Sequence, residues 1–225
     1  MDPVNVEPSP YEIWRVAEAI YQENSLVEKT KDAINKYLHE HTNGKIVLKE
    51  LEERASYPWV LGLFCIQKDD KKVLVVSFQG SNSDIQWIEN ISTTPIVTKM
   101  LLSSMTKTVK AWEEKYVQKY NHKYGKPNWG KIIAFTGHSR GAQFASRCWK
   151  GKKVWRITWN GYGVKTGRYH INLATNGDFL TTNPLLSHPE DYIRICDGGH
   201  SLYDFKEVVR DRTWMQLLSK QKAKL

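Results

Sequence analysis

The sequence predicts an α/β protein, a central and mostly parallel sheet with helices on both faces, and three observations predict it. In the second half of the chain, short β-branched runs alternate with stretches of helical spacing, the pattern of strands joined by crossover helices. Upstream, the apolar runs 59–66 and 72–78 flank the polar turn Lys68-Asp69-Asp70-Lys71 and read as a strand hairpin. Between one later strand and the helix after it stands the glycine-bounded turn Gly137-His138-Ser139-Arg140-Gly141.

The elements follow in order. Ile13, Trp14, Val16, Ala17, Ile20 and Tyr21 share a helical face, and after Asn24-Ser25 a second set does the same with Leu26, Val27, Ala33, Ile34, Tyr37 and Leu38. The hairpin comes next. Val97, Leu101, Met105, Val109, Trp112 and Tyr116 then mark a long amphipathic helix over 96–122, and 131–136 is a buried strand ending in glycine. Residues 142–149 are helical in character, 154–159 alternate as a strand, 168–174 and 192–196 supply two more strands, and 202–218 is again helical.

Composition bounds the class of molecule. The chain has 225 residues, 40% of them hydrophobic, enough for a packed core and against disorder. No apolar run approaches the ~18 residues of a membrane-spanning helix, which excludes an integral membrane protein of that kind. Lys and Arg number 33 against 24 Asp and Glu, a net charge of +9. Such a field favours nucleic acid, anionic membrane surfaces or acidic ligands without naming one. The acidic, proline-rich start 1–8 has no secretory pattern, and Cys65, Cys148 and Cys196 lack metal-ligand spacing. The expectation is an intracellular, cytoplasmic protein with reduced thiols. The ending Ala223-Lys224-Leu225 resembles a variant peroxisomal address and keeps that compartment open.

The turn at 137–141 is a GxSxG motif. Three fixed positions at about 7% each give a chain of this length roughly a 7% chance of an accidental match, so context decides. A nucleophile elbow needs a strand before the serine and a helix after it, with glycines where the two elements crowd together. Gly137, Gly141 and the small Ala142 meet that need, and the helix N-terminus sets a positive dipole beside Ser139. Upstream, the strand 73–78 ends in Gln79-Gly80-Ser81.

At these residues the chain resembles the class 3 lipases, the family of fungal triacylglycerol lipases and plant phospholipase-type acyl hydrolases. Phe78-Gln79-Gly80-Ser81 resembles that family's Phe-Arg-Gly-Ser/Thr loop, the stretch 82–90 its Asp/Asn-Trp segment, and Gly-His-Ser-x-Gly its elbow. Gln79, Arg140 and Ala142 depart from the usual residues. The resemblance spans 59–205 and implies an α/β-hydrolase fold; the helical segment 1–55 carries no signature of that family and is expected to pack on the 59–205 core within one domain over 1–225. It implies an oxyanion hole from the backbone N–H groups of Ser81 and Arg140. It also implies that Ile85, Trp87 and Ile88 belong to a lid; a surface helix packed permanently on the core is the alternative.

In such a fold the acid and base follow the serine in the order Ser, Asp or Glu, His. Asp178 stands at the end of the strand 168–174, and 176–184 resembles the family's Asp-x-Val-x-x-x-Pro stretch; a capping role in an Asx turn is the alternative. His200 follows the strand 192–196 and Asp197-Gly198-Gly199, from where it can reach both partners, and is favoured over His188. His138 points away from Ser139 as a packing or hydrogen-bonding residue. Ser139, Asp178 and His200 then form a serine hydrolase triad that requires no metal or organic cofactor, acting on a lipid or other acyl ester. The alternative is a catalytically silent hydrolase-fold protein that binds membrane or protein partners. Basic residues at 147, 150, 152, 153 and 156, with 220, 222 and 224, are the candidate contact with anionic phospholipid. Trp149, Trp155 and Trp159 beside them also admit nucleic acid, the less favoured partner because no nucleic-acid fold accompanies them.

Overall fold

The computed structural model describes residues 7–21, 31–54, 59–69, 71–80, 95–164, 167–183 and 192–222. Its centre is a seven-stranded sheet in the order β1-β2-β3-β4-β5-β6-β7. The strands are β1 (Ile46–Arg54), β2 (Trp59–Lys68), β3 (Lys71–Phe78), β4 (Ile132–His138), β5 (Trp155–Trp159), β6 (His170–Thr175) and β7 (Ile193–Cys196). β1, β2 and β3 pair antiparallel, and β3 through β7 pair parallel. β4 is the innermost parallel strand of the site, and its β-branched and aromatic run Ile132-Ile133-Ala134-Phe135 is buried on both faces, as a central parallel strand must be.

The sequence reading of 1–55 as a helical segment is corrected at its end, because Ile46–Arg54 is the edge strand β1. Its Lys-Glu-Leu-Glu-Glu-Arg stretch has weak strand propensity. Pairing with β2 overrides that propensity: Ile46 and Leu48 are buried, while the charged residues mark an edge protected from pairing with another chain.

Two cores flank the sheet. On one face lie α1 (Pro10–Ala19), α2 (Lys31–Thr42), α6 (Lys206–Arg210) and α7 (Trp214–Lys222), packed on alternate residues such as Val75, Ala134, Ile157 and Leu173. On the other lie α3 (Pro95–Tyr124) and α4 (Arg140–Arg147), against Leu74, Val76, Ile132 and Phe135. The single helix expected over 202–218 is broken. A 3-10 turn, Leu202–Phe205, runs into α6, and α7 restarts after Thr213, whose hydroxyl accepts from the Gln216 N–H at 3.3 Å. Indole donors tie the ends of the chain together: Trp14 Nε1 donates to the Leu202 carbonyl and Trp214 Nε1 to the Pro8 carbonyl, both at 2.8 Å. Buried tryptophans need such partners, and these two lock α1 to the C-terminal helices. Residues 22–30, including Leu26 and Val27, lie outside the described residues.

Candidate active site

The site gathers at the C-terminal ends of β4, β5 and β6, where open α/β sheets place their ligands. β4 delivers Ser139 with φ 55° and ψ −122°, a conformation costly for any residue but glycine, and α4 begins at the next residue. The Ser139 N–H donates to the Trp159 carbonyl at 3.0 Å, which pins the turn to β5. The elbow has no room for side chains on its flanks. A Cβ at Gly141 would lie 2.1 Å from the Phe78 carbonyl oxygen, and one at Gly137 would lie 2.5 Å from the Gly141 backbone. Thus the end of β3, the elbow and the first turn of α4 touch backbone to backbone.

Asp178 follows β6 and is fully buried. Its Oδ1 accepts from His200 Nδ1 at 2.8 Å and from the Leu180 N–H at 3.2 Å, so one carboxylate both orients the imidazole and caps α5 (Phe179–Thr182). Burial pushes the Asp178 carboxyl up, but the His200 hydrogen bond and charge, with Thr181 and the Leu180 N–H, outweigh it and hold the group below its ordinary value. It is therefore an anion at neutral pH. With Nδ1 turned to that anion, Nε2 is the outward nitrogen of the His200 ring, and this buried atom has no hydrogen-bond partner among the described residues.

The loop carrying His200 is held by its backbone carbonyls. Asn160 Nδ2 and Thr175 Oγ1 both donate to the Gly199 carbonyl, and Asn160 Oδ1 accepts from the Thr175 N–H. His138 Nε2 donates to the His200 carbonyl at 2.6 Å, which links the residue before Ser139 to the loop carrying His200. Burial first, then the positive charge available to His200, pull the His138 imidazole down to about 3. The unfolded chain takes up this proton near 6.5 and the folded chain only near 3, so stability falls as the pH drops through that window. His170, held at about 4 by burial and the nearby Arg156 charge, acts in the same direction. Each is expected to cost about 2 kcal/mol between pH 7 and pH 5. His138→Gln should remove about half of that slope in thermal unfolding followed against pH; an unchanged slope would assign it elsewhere.

Tyr21, which helical spacing places on a core-facing stripe, reaches the candidate site. Its hydroxyl accepts from the Gly80 N–H at 2.7 Å and donates to the His138 carbonyl at 3.3 Å. Burial pushes the phenol above its ordinary value, so the hydroxyl keeps its proton and both bonds. The end of the N-terminal helical segment thereby fixes the loop on which the oxyanion donor is expected. No local signal announces this, since Tyr21 repeats on the same face as core residues. Tyr21→Phe is expected to lower the turnover of an ester substrate about tenfold with KM little changed, because it frees the loop without touching the substrate-binding edge.

Of the remaining expected site residues, Arg140 opens α4 at the positive end of its dipole, with its guanidinium over the Phe144 ring. Ser81 and the lid candidates Ile85, Trp87 and Ile88 lie outside the described residues, as does His188. Three surface readings are corrected. Arg156 is buried and donates to the carbonyls of Cys148, Trp149, Lys152 and Val154, while Trp155 and Trp159 belong to the core. Strand β5 is buried on both faces, which the basic and aromatic residue types in it conceal.

Comparison with solved structures agrees with the fold. The chain resembles the Lip2 lipase of Yarrowia lipolytica with a TM-score of 0.53 at 14% identity, over 84% of this chain and 77% of that one. It resembles a Rhizomucor miehei lipase in its propeptide complex at 15% identity and a TM-score of 0.47, over 77% of this chain and 60% of that one. A triacylglycerol lipase from Penicillium expansum aligns at 11% identity with a TM-score of 0.46, over 86% of this chain and 84% of that one. The chain thus spans less than two thirds of the Rhizomucor lipase. No protein-family model matches the sequence. No curated protein matches it at a significant level either. The protein has an α/β-hydrolase fold of the kind seen in fungal lipases.

Proposed function

We propose that the protein is a serine carboxylic-ester hydrolase of lipase or phospholipase type, with Ser139, Asp178 and His200 as its triad. The observation that carries this reading is the buried Asp178–His200 pair, whose Nε2 has no hydrogen-bond partner among the described residues, at the edge where the strained Ser139 elbow ends. Ser139 Oγ attacks the ester carbonyl as His200 Nε2 takes its proton, and Asp178 stabilises the imidazolium. The tetrahedral oxyanion is met by the backbone N–H of Arg140, with Ser81, outside the described residues, as the second expected donor. Collapse expels the alcohol, which receives the proton from His200, and water then cleaves the acyl-enzyme by the same route. Phe179, 59% exposed and with its ring 5.9 Å from that of His200, supports an apolar acyl substrate at this edge.

The test is labelling with a fluorophosphonate probe followed by a panel of acyl esters and phospholipids. The expected result is one label, on Ser139, blocked by prior incubation with substrate. A folded protein that takes up no label is a catalytically silent hydrolase fold, and the proposal fails.

A further inference from the structure

The positive charge of the chain is segregated. Residues 99–156 hold 14 Lys and Arg against 2 Glu, a net of +12, so the rest of the chain, with 19 basic and 22 acidic residues, carries −3. This segment is α3, β4 and α4 with their connections, on one face of the sheet.

Apart from Lys99 and Lys107 on the first half of α3, much of its exposed charge lies toward the edge opposite Ser139. α3 ends at Tyr124 beside Lys72, at the start of β3, where Lys72 Nζ lies 3.5 Å from the Tyr124 hydroxyl. Lys131 precedes β4, and Lys150 and Lys153 precede β5. Since β3, β4 and β5 are adjacent and parallel, their starts form one continuous belt, and their other ends carry the elbow. Lys119, Lys123, Lys131, Lys150 and Lys153 are exposed and make no ion pair with the described residues. Of the acids near this edge, Glu50 and Glu113 pair with Lys115 and Lys152, Glu7 and Glu12 pair with Lys71 and Lys68 of the hairpin, Asp69 lies in the hairpin turn, and Glu114 is exposed on α3. Aromatic rings are interleaved with the lysines. Tyr124 and Trp129 lie 5.3 Å apart, with Lys123 5.1 Å from the first ring and Lys126 4.6 Å from the second, and Lys152 sits 4.4 Å from the Trp149 ring.

From this we infer that the belt is a docking surface for single-stranded nucleic acid, bound through its phosphates with bases against Tyr124, Trp129 and Trp149. Two facts favour that occupant over a membrane. A bilayer held by the belt would face away from the catalytic edge, and among the large exposed apolar side chains Met100, Phe179, Tyr203, Met215 and Tyr124, only Tyr124 belongs to the belt. A flexible polyanion needs neither aliphatic anchors nor access to Ser139; lysines tracking its backbone and ring faces for its bases are sufficient.

The experiment is fluorescence anisotropy with a labelled 20-nucleotide single strand between 50 and 200 mM salt, run beside phosphatidylserine vesicles. Binding should weaken with a log–log salt slope of about −3 to −4, as about five phosphate contacts require. Lys119→Glu/Lys123→Glu/Lys150→Glu should weaken binding at least about tenfold and flatten the slope by about two, with hydrolysis of a short-chain ester unchanged. Lys36→Glu/Lys206→Glu, on α2 and α6 across the opposite face of the sheet, should bind as the parent does. Tyr124→Ala should lose about fivefold affinity with the slope retained, the mark of a stacked base. No binding at 50 mM salt, equal binding by the triple variant, or capture of vesicles without the oligonucleotide would each overturn the proposal. Because ester hydrolysis is read separately, loss of the proposed enzymatic reading leaves this test intact.

Discussion

Replacing Ser139 by alanine is expected to lower ester hydrolysis by at least about 10⁴-fold while the protein stays folded, because the only group removed is the proposed nucleophile. The backbone at 139 sharpens the prediction. At φ 55° and ψ −122° both serine and alanine carry the same strain, so the thermal midpoint of Ser139→Ala should stay close to that of the parent. Glycine relieves that strain. Ser139→Gly should be equally inactive yet more stable by about 1 kcal/mol, a few degrees in thermal unfolding. Stability gained on deleting a functional side chain separates a strained catalytic elbow from a structural turn, where serine would be the relaxed choice. Retention of more than a tenth of the rate by Ser139→Ala would end the triad assignment. Loss of activity in His188→Ala with retention in His200→Ala would move the base instead.

Gly141→Ala is expected to abolish folding or cost more than about 3 kcal/mol. The added Cβ would sit 2.1 Å from the Phe78 carbonyl oxygen and 2.8 Å from the Gln79 backbone carbon, and no rotamer of a methyl group moves it away. Relief requires shifting β3 or α4, and both are clamped into the same core. Gly167→Ala supplies the comparison, since among the described residues no atom beyond its chain neighbours lies within 4 Å of its added Cβ, and its stability should change by less than about 0.5 kcal/mol. Urea unfolding of the two variants reads the difference directly; equal midpoints would show that the elbow yields.

Much of this architecture is legible in the residues. The hairpin of β2 and β3 has alternation, β-branched content and a polar turn of the right length, and β4 followed by Gly-x-Ser-x-Gly and α4 is a strand–turn–helix signature whose glycines have a steric reason. Asp178 is legible for the same cause, as a carboxylate at the C-terminal end of a parallel strand. Less was readable where long-range pairing overrode local preference. The edge strand β1 carries three Glu, one Lys and one Arg, and its ladder with β2 makes it a strand. Arg156 looks like surface charge in a basic stretch, yet four backbone carbonyls satisfy it inside the molecule.

The sequence alone determined the order of chemical groups: an elbow serine, an acid after the next strands and a histidine after the last one, together with a net charge whose meaning stayed open. Those are properties of local spacing and residue type, and they need no partner from elsewhere in the chain. Only the tertiary structure decided that Asp178 both caps α5 and holds His200, that Tyr21 reaches from the end of α1 to the Gly80 N–H, and that the lysines converge on the edge away from Ser139. Each of these depends on residues brought together across tens or hundreds of positions by burial of two apolar cores against one sheet. Burial selects which side chains face which edge, and sequence spacing carries no direction in space until the sheet supplies one.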